Sequence, residues 1–264
     1  MKRKIIKAKP KQIIKGKVTK RPVVKRKSVP LESGNKKTTV KPSVIINHTT
    51  KIVNDGTPRH AQPFSKVNKI FTGETVYLIG GGPSLKEFNW EDLKGKNIIA
   101  INKAYEFVPW AQVIFWTDAR FYTWYHQQIQ QSKADKYTIN NSIHYDSSVK
   151  VLRKGGRHNL EKGDDIIAHG DNSGYAAINL AYILGASQIV LLGYDMGGTA
   201  TDSHFHNGYP VNATSQKIYE SRFMPSFPYI AAALKKEGIP VWNASSVSKL
   251  TCFEKISIEK SLRL

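Results

Sequence analysis

Thr75-Val76-Tyr77-Leu78-Ile79-Gly80-Gly81-Gly82-Pro83-Ser84-Leu85 decides how this chain is read. Thr75 to Ile79 carries no charge and is rich in β-branched and aromatic residues. That pattern suits a strand covered on both faces, as in a parallel sheet. Gly80, Gly81 and Gly82 follow at once and let the backbone approach a neighbour or a ligand closely. Pro83-Ser84-Leu85 is expected to open a helix whose N-terminal amides attract phosphate. Ser84 either caps that helix or bonds a phosphate oxygen. The stretch is neither Gly-x-Gly-x-x-Gly nor a P-loop, because no Gly-Lys-Ser/Thr follows.

Outward from this stretch, the same alternation recurs. Residues 97–102 and 111–118 read as a second and a third strand, and residues 121–132 as a helix. Ser173 to Leu184 reads as a further helix, with Ala176, Ala177, Leu180, Ala181 and Leu184 on one face and Gly185 as its stop. Residues 188–193 give a fourth strand, 226–237 a helix ended by Gly238, and 240–243 a fifth strand. Strands alternating with helices define an α/β fold. The expectation is a Rossmann-like parallel sheet with helices on both faces, preceded by a disordered basic tail.

The charge is concentrated at one end. Of the 264 residues, 40 are Lys or Arg and 20 are Asp or Glu. Residues 1–60 hold 18 Lys/Arg against 2 acids, a net of +16, whereas residues 61–264 hold 22 against 18, a net of +4. The chain therefore divides into a Lys-rich segment, 1–60, and a folded domain, 61–264. Residues 1–42 contain no aromatic residue and are split by Pro10, Pro22, Pro30 and Pro42, which argues for disorder. This stretch is either a solvated tail or an electrostatic arm for nucleic acid or another polyanion. The asymmetry excludes a uniformly basic nucleic-acid-coating domain. The single cysteine, Cys252, excludes a disulfide framework and a CxxC zinc site, and is expected to be packed. No run reaches the ~18 apolar residues of a membrane-spanning helix. No secretory signal is recognisable, and a cytoplasmic protein is expected.

Ligands of a doubly wound sheet sit beyond the carboxyl ends of its strands. Asn102 follows the second strand and either reads a base or ribose or makes an Asx turn. Asp118 follows the third. It can hold ribose hydroxyls or a metal, pair with Arg120, or cap the next helix. His169-Gly170-Asp171-Asn172-Ser173-Gly174 precedes the convincing helix and makes a second polar loop at a helix start, with Asn172 or Ser173 as its cap. Asp195 follows the fourth strand. His204 and His206 lie beyond it beside Asp202, in a pattern suited to general acid/base work or to metal binding with a third ligand such as Asp195 or Asp118.

Four of these motifs occur in one order: Val76 to Lys86, Ala100-Ile101-Asn102-Lys103, Asn172-Ser173-Gly174, and Gly185 to Met196 with its Gly193-Tyr194-Asp195. Over residues 75–250 the chain resembles the MptE-like family. That superfamily includes archaeal hydroxymethylpterin pyrophosphokinases and the central domain of flagellin motility accessory factors. The chain is similar as well to bacterial sialyltransferases that use CMP-sugars. The resemblance implies a nucleotide-dependent transferase, phage-encoded as small proteins of this type often are, and so acting in the host cytoplasm. Its donor would be a nucleotide or CMP-sugar and its acceptor would bear a hydroxyl. Gly80, Gly81, Gly82, Pro83, Ser84 and Asn102 would hold the nucleotide, and Asn172, Ser173 and Gly174 its sugar and phosphate. His204 or His206 would be the general base, Asp195 would complete the catalytic set, and Tyr209 or Tyr219 would polarise the departing phosphate. Glycosyl transfer requires no metal. Pyrophosphoryl transfer requires Mg²⁺, held by Asp118 or Asp195. The alternative is a nucleic-acid-binding or virion-associated protein with a decayed transferase fold and a basic arm.

Overall fold

A computed structural model describes residues 62–198, 204–206, 208–210 and 214–264. The basic segment 1–60 and Asp202 lie outside these residues. Among the described residues, no helix is long and apolar enough to cross a membrane.

The fold is α/β and Rossmann-like. Strands β1 (Thr75–Ile79), β2 (Asn97–Ile101), β3 (Val113–Trp116), β4 (Asp135–Thr138) and β5 (Val149–Val151) lead to one edge of a sheet. A two-stranded sheet of β6 (Arg153–Lys154) and β7 (Ile166–Ile167) follows, and then β8 (Gln188–Leu192), β9 (Val241–Asn243) and β10 (Glu254–Lys255) complete the main sheet. The main-sheet order is β10-β9-β8-β1-β2-β3-β4-β5, and every pairing in it is parallel. β1 is central, with Tyr77 opposite Ile98 of β2 and Val190 of β8. The chain builds outward from β1 through β5 and returns to the other side of β1 at β8. That reversal is a topological switch point, where a crevice opens beyond the strand ends.

Alternation along each strand divides the core in two. Val76, Leu78, Ile99, Phe115 and Leu191 face one layer, which holds α2 (Ser173–Ile183) and the later α4 (Phe227–Lys236). Tyr77, Ile79, Ile98, Trp116 and Leu192 face the other, with α1 (Ala119–Gln131) and the short C-terminal α5 (Ile258–Ser261) against it. α2 is buried around its whole circumference rather than on one stripe. Its Asn179, fully buried, accepts from the amides of Glu161 and Ala168 and donates to the Glu161 carbonyl. Gly185 and Gly238, at φ +98° and +72°, stop α2 and α4 as expected.

Three departures bear on function. The expected helix after Gly82 is a single 3₁₀ turn, Pro83–Leu85. The second strand ends at Ile101, because Asn102 turns into the left-handed region at φ +51°. β4 escaped the sequence pattern because its Asp-Lys-Tyr-Thr is half polar. Lys136 is buried there by donating to the carbonyls of Ser132 and Ala134, and burial lowers its pKa.

Candidate functional site

A cavity of about 850 Å³ lies beyond the carboxyl ends of β1, β2, β3, β4 and β8. That volume lies within the range of small-ligand and cofactor sites. Its wall brings together Gly80, Gly81, Gly82, Asn102, Asp118, Asn172, Ser173, Gly174, His204 and His206, which are far apart in sequence.

The glycine turn follows from the packing of the chain on itself. A Cβ on Gly80 would lie 2.7 Å from the Gly193 carbonyl, one on Gly81 2.8 Å from the His204 ring, and one on Gly82 would overlap the Asp195 carboxylate. The amides of Gly80 and Gly82 donate to the carbonyls of Leu192 and Gly193, and that of Leu85 donates to Gly82. Ser84 gives both its amide (2.7 Å) and its hydroxyl (2.6 Å) to the Asp195 carboxylate. The turn therefore offers no nest of amides to a phosphate, and Pro83 and Ser84 do not line the cavity. This corrects the expectation of a helix start after β1.

Asp195 is corrected by the same contacts. It is buried, outside the cavity wall, and accepts also from the Ser245 hydroxyl at 2.5 Å. It clasps the turn after β1 to the loop after β8. Asp118 lines the cavity but caps α1 through the Arg120 amide and forms a fork with the Arg120 guanidinium. The bond to Arg120 holds the Asp118 carboxyl below the usual carboxylate range. Neither carboxylate is uncommitted. Among the described residues no group of three or more His, Cys, Asp or Glu gathers to hold an ion. The pair does not fit a magnesium site.

The start of α2 is better placed. Asn172 accepts from the Tyr175 amide and so caps the helix, after Gly170 and Asp171 turn the chain at φ +50° and +58°. The Ser173 hydroxyl bonds that of Thr117 at 2.7 Å, which ties the helix start to the end of β3. Buried Tyr194 donates to the Gly174 carbonyl, tying it to the end of β8. Ser173 and Gly174, the first two residues of the helix, line the cavity and carry two of its unsatisfied amides. Asn102 lines the facing wall, its carboxamide without a partner among the described residues.

His204 and His206 form a second wall. Phe205 between them points away, into the aromatic group of Trp90 and Phe107, and its amide donates to the Gly81 carbonyl. Anchored this way, the two imidazoles stack with centroids 5.3 Å apart, and the Tyr209 ring meets both edge-on. Burial lowers the pKa of His204. Burial, then His204 and Lys103, pull His206 down to about 4. Both rings are neutral at pH 7, the state that takes up a proton. The Nδ1 atom of His206 is buried with no partner among the described residues.

Tyr209 and Tyr219 also line the cavity, as do Trp124 and Asn140. Sequence reasoning missed Lys154 and Arg222. Lys154 reaches the wall from the two-residue β6, and Arg222 from a π-helical turn, Tyr219–Phe223. No local pattern marks either one.

No family model matches this chain, and no curated protein matches it.

Proposed function

We propose that the protein is a nucleotide-dependent transferase related to the MptE-like and sialyltransferase families, working in the cavity at the switch point. The observation that carries this reading is the convergence there of Asn102, the α2 start and the His204/His206 wall. Asn102 reads the base or ribose, and the Ser173 and Gly174 amides meet the donor phosphate. The glycine turn supports the wall instead of cradling phosphate.

Of the two transfer reactions, the metal-free glycosyl one is favoured, because Asp118 and Asp195 are both engaged elsewhere. In it, a neutral imidazole of His204 or His206 takes the proton of the acceptor hydroxyl. The acceptor oxygen bonds to the donor sugar's anomeric carbon. The bond from that carbon to the phosphate oxygen breaks, and the nucleotide leaves with the electron pair. That the Ser173 and Gly174 start of α2 lines the same cavity as the two imidazoles supports the proximity such a step needs.

The test is calorimetry and thermal unfolding with CMP, CDP, UDP, ATP and GTP, each with and without Mg²⁺. A ligand at about 100 times its Kd should add about 2.7 kcal/mol of stability. Stabilisation by a cytidine nucleotide without metal supports the glycosyl reading, and stabilisation by ATP only with Mg²⁺ supports pyrophosphoryl transfer. The net charge of +16 in residues 1–60 favours a second reading, a nucleic-acid-binding protein on a decayed enzyme fold. Steeply salt-dependent DNA binding with no nucleotide stabilisation would select it.

A further inference from the structure

One end of the cavity is electrically unlike the rest. Arg157 approaches Asp171 Oδ2 at 3.0 Å and Arg222 approaches the same oxygen at 3.6 Å, so two guanidinium groups converge on one carboxylate oxygen. Arg157 also donates to the Arg222 carbonyl at 3.2 Å. Arg157 is therefore the strut, and the Arg222 guanidinium, 62% exposed, is left with one long ion-pair contact among the described residues. Lys154 also lines the cavity and has no acidic partner among the described residues, and its charge acts on His169, whose Nδ1 lies 3.0 Å from Asp171 Oδ1. Glu161, on the connection between β6 and β7, accepts from the Gly156 amide. Lys154, Arg157 and Arg222 thus stand against two carboxylates, Asp171 and Glu161, beside a ligand-sized space. Burial, and after it the charge of Lys154, lower the pKa of His169; Asp171 opposes them and Arg157 adds to the lowering.

From this we infer that Lys154 and Arg222 form an anion subsite at the rim of the cavity, built for a phosphate-like group of a bound substrate. Arg157 and Asp171 position Arg222 and leave its charge in surplus. Guanidinium and ammonium groups at a partly enclosed site make charge-assisted bonds to phosphate oxygens, roughly twice as strong as neutral ones. Asp118 and Arg120, at the β3 end of the same cavity, cancel each other and provide no such surplus. This inference deepens the transferase reading and rests on the same cavity. It adds that a substrate carries a phosphate-like anion at this rim. That anion belongs either to the donor or to an acidic acceptor.

The test uses the full chain at low salt with inorganic phosphate as probe, read by calorimetry and by thermal unfolding. The Lys154→Ala, Arg222→Ala double variant is compared with wild type and with Lys162→Ala, an exposed lysine paired with Glu237 outside the cavity. Phosphate attracted to residues 1–60 is common to all three proteins and cancels in the comparison. The expected result is phosphate binding weakened about tenfold or more in the double variant only, with its phosphate-induced stabilisation lost. Equal phosphate binding in wild type and double variant, or no stabilisation of the wild type, overturns the inference. CMP and cytidine separate this outcome from the fate of the transferase reading. Phosphate lost in the double variant with no nucleotide bound by wild type upholds the subsite and sinks the nucleotide donor. CMP bound by wild type, with phosphate bound equally by wild type and double variant, does the reverse. Where both bind, competition between CMP and phosphate assigns the subsite to the donor, and simultaneous binding assigns it to the acceptor.

Discussion

Ser84 and Asp195, 111 residues apart, are joined by two hydrogen bonds to one carboxylate, from the Ser84 amide at 2.7 Å and its hydroxyl at 2.6 Å. One residue follows β1 and the other follows β8, so the pair closes the switch point of the sheet from behind the cavity. Ser245 completes the shell from the loop after β9. Among the described residues no cation pairs with Asp195, and a buried carboxylate is tolerable there when donors surround it.

Replacing Asp195 with Ala leaves three donors, two from half-buried Ser84 and one from buried Ser245, without their acceptor. The expected loss is about 3 kcal/mol of folding stability, read as a lower urea midpoint at unchanged slope. A loss under about 1 kcal/mol would show that the clasp is not what holds the two loops together.

The histidine wall makes stability depend on pH. Between pH 6.5 and about 4 an unfolded His206 binds a proton that the folded ring refuses. The unfolded state then holds more protons, so stability rises with pH across this window and falls as pH drops through it. His204 acts in the same direction. Carboxylates held low by their partners, such as Asp118, add slope at still lower pH. The readout is therefore the difference between wild type and a His204→Gln, His206→Gln variant. Melting temperatures of the two should converge towards pH 4. Parallel curves from pH 7 to 4 would contradict the burial of these rings.

If the wall supplies the base, removing it should cost turnover more than substrate affinity. Once a donor is identified, the His204→Ala and His206→Ala variants separate the two rings. Loss of the working base should lower kcat by about 10²–10⁴ with KM little changed. Wild-type kcat in both single variants and in the double would remove the histidines from the mechanism.

Asn179 is fully buried and ties α2 to two points of the incoming loop. Asn179→Leu fits the apolar surroundings but strands the Glu161 and Ala168 amides. A loss of about 2–4 kcal/mol is expected, because unmade buried bonds cost more than the leucine's burial returns. Hydrogen exchange should accelerate at those two amides specifically.

Cys252 packs against the main core, and burial pushes its thiol up to about 11. A thiol reagent at pH 8 should label it slowly in the native protein and at once in denaturant. Fast native labelling would place the residue at the surface.

Much of the framework was legible locally. β1, β2, β3 and β8 are nearly unbroken apolar runs because a central parallel strand is covered on both faces, and that burial constrains each residue in place. Glycines at Gly185 and Gly238 marked helix ends because only they take the left-handed backbone without strain. The polar β4 stayed hidden because its Lys136 is satisfied by carbonyls that only the fold brings near. The order of the glycine turn, Asn102, the α2 start and the histidines also pointed to one site, since strand ends of a parallel sheet share one edge.

What the sequence by itself determined is the class of fold, its central strands and the neighbourhood of the cavity, all consequences of hydrophobic pattern and backbone freedom. What only the tertiary structure decided is which polar side chains face that cavity. Asp195 and Asp118 look like free carboxylates in the sequence, yet the fold commits them to Ser84, Ser245 and Arg120. Lys154 and Arg222, unremarkable in the sequence, stand at the rim. Hydrogen bonds and charge pairs act over a few ångströms, and Arg157 and Arg222, 65 residues apart in the chain, reach that range only after the sheet has formed.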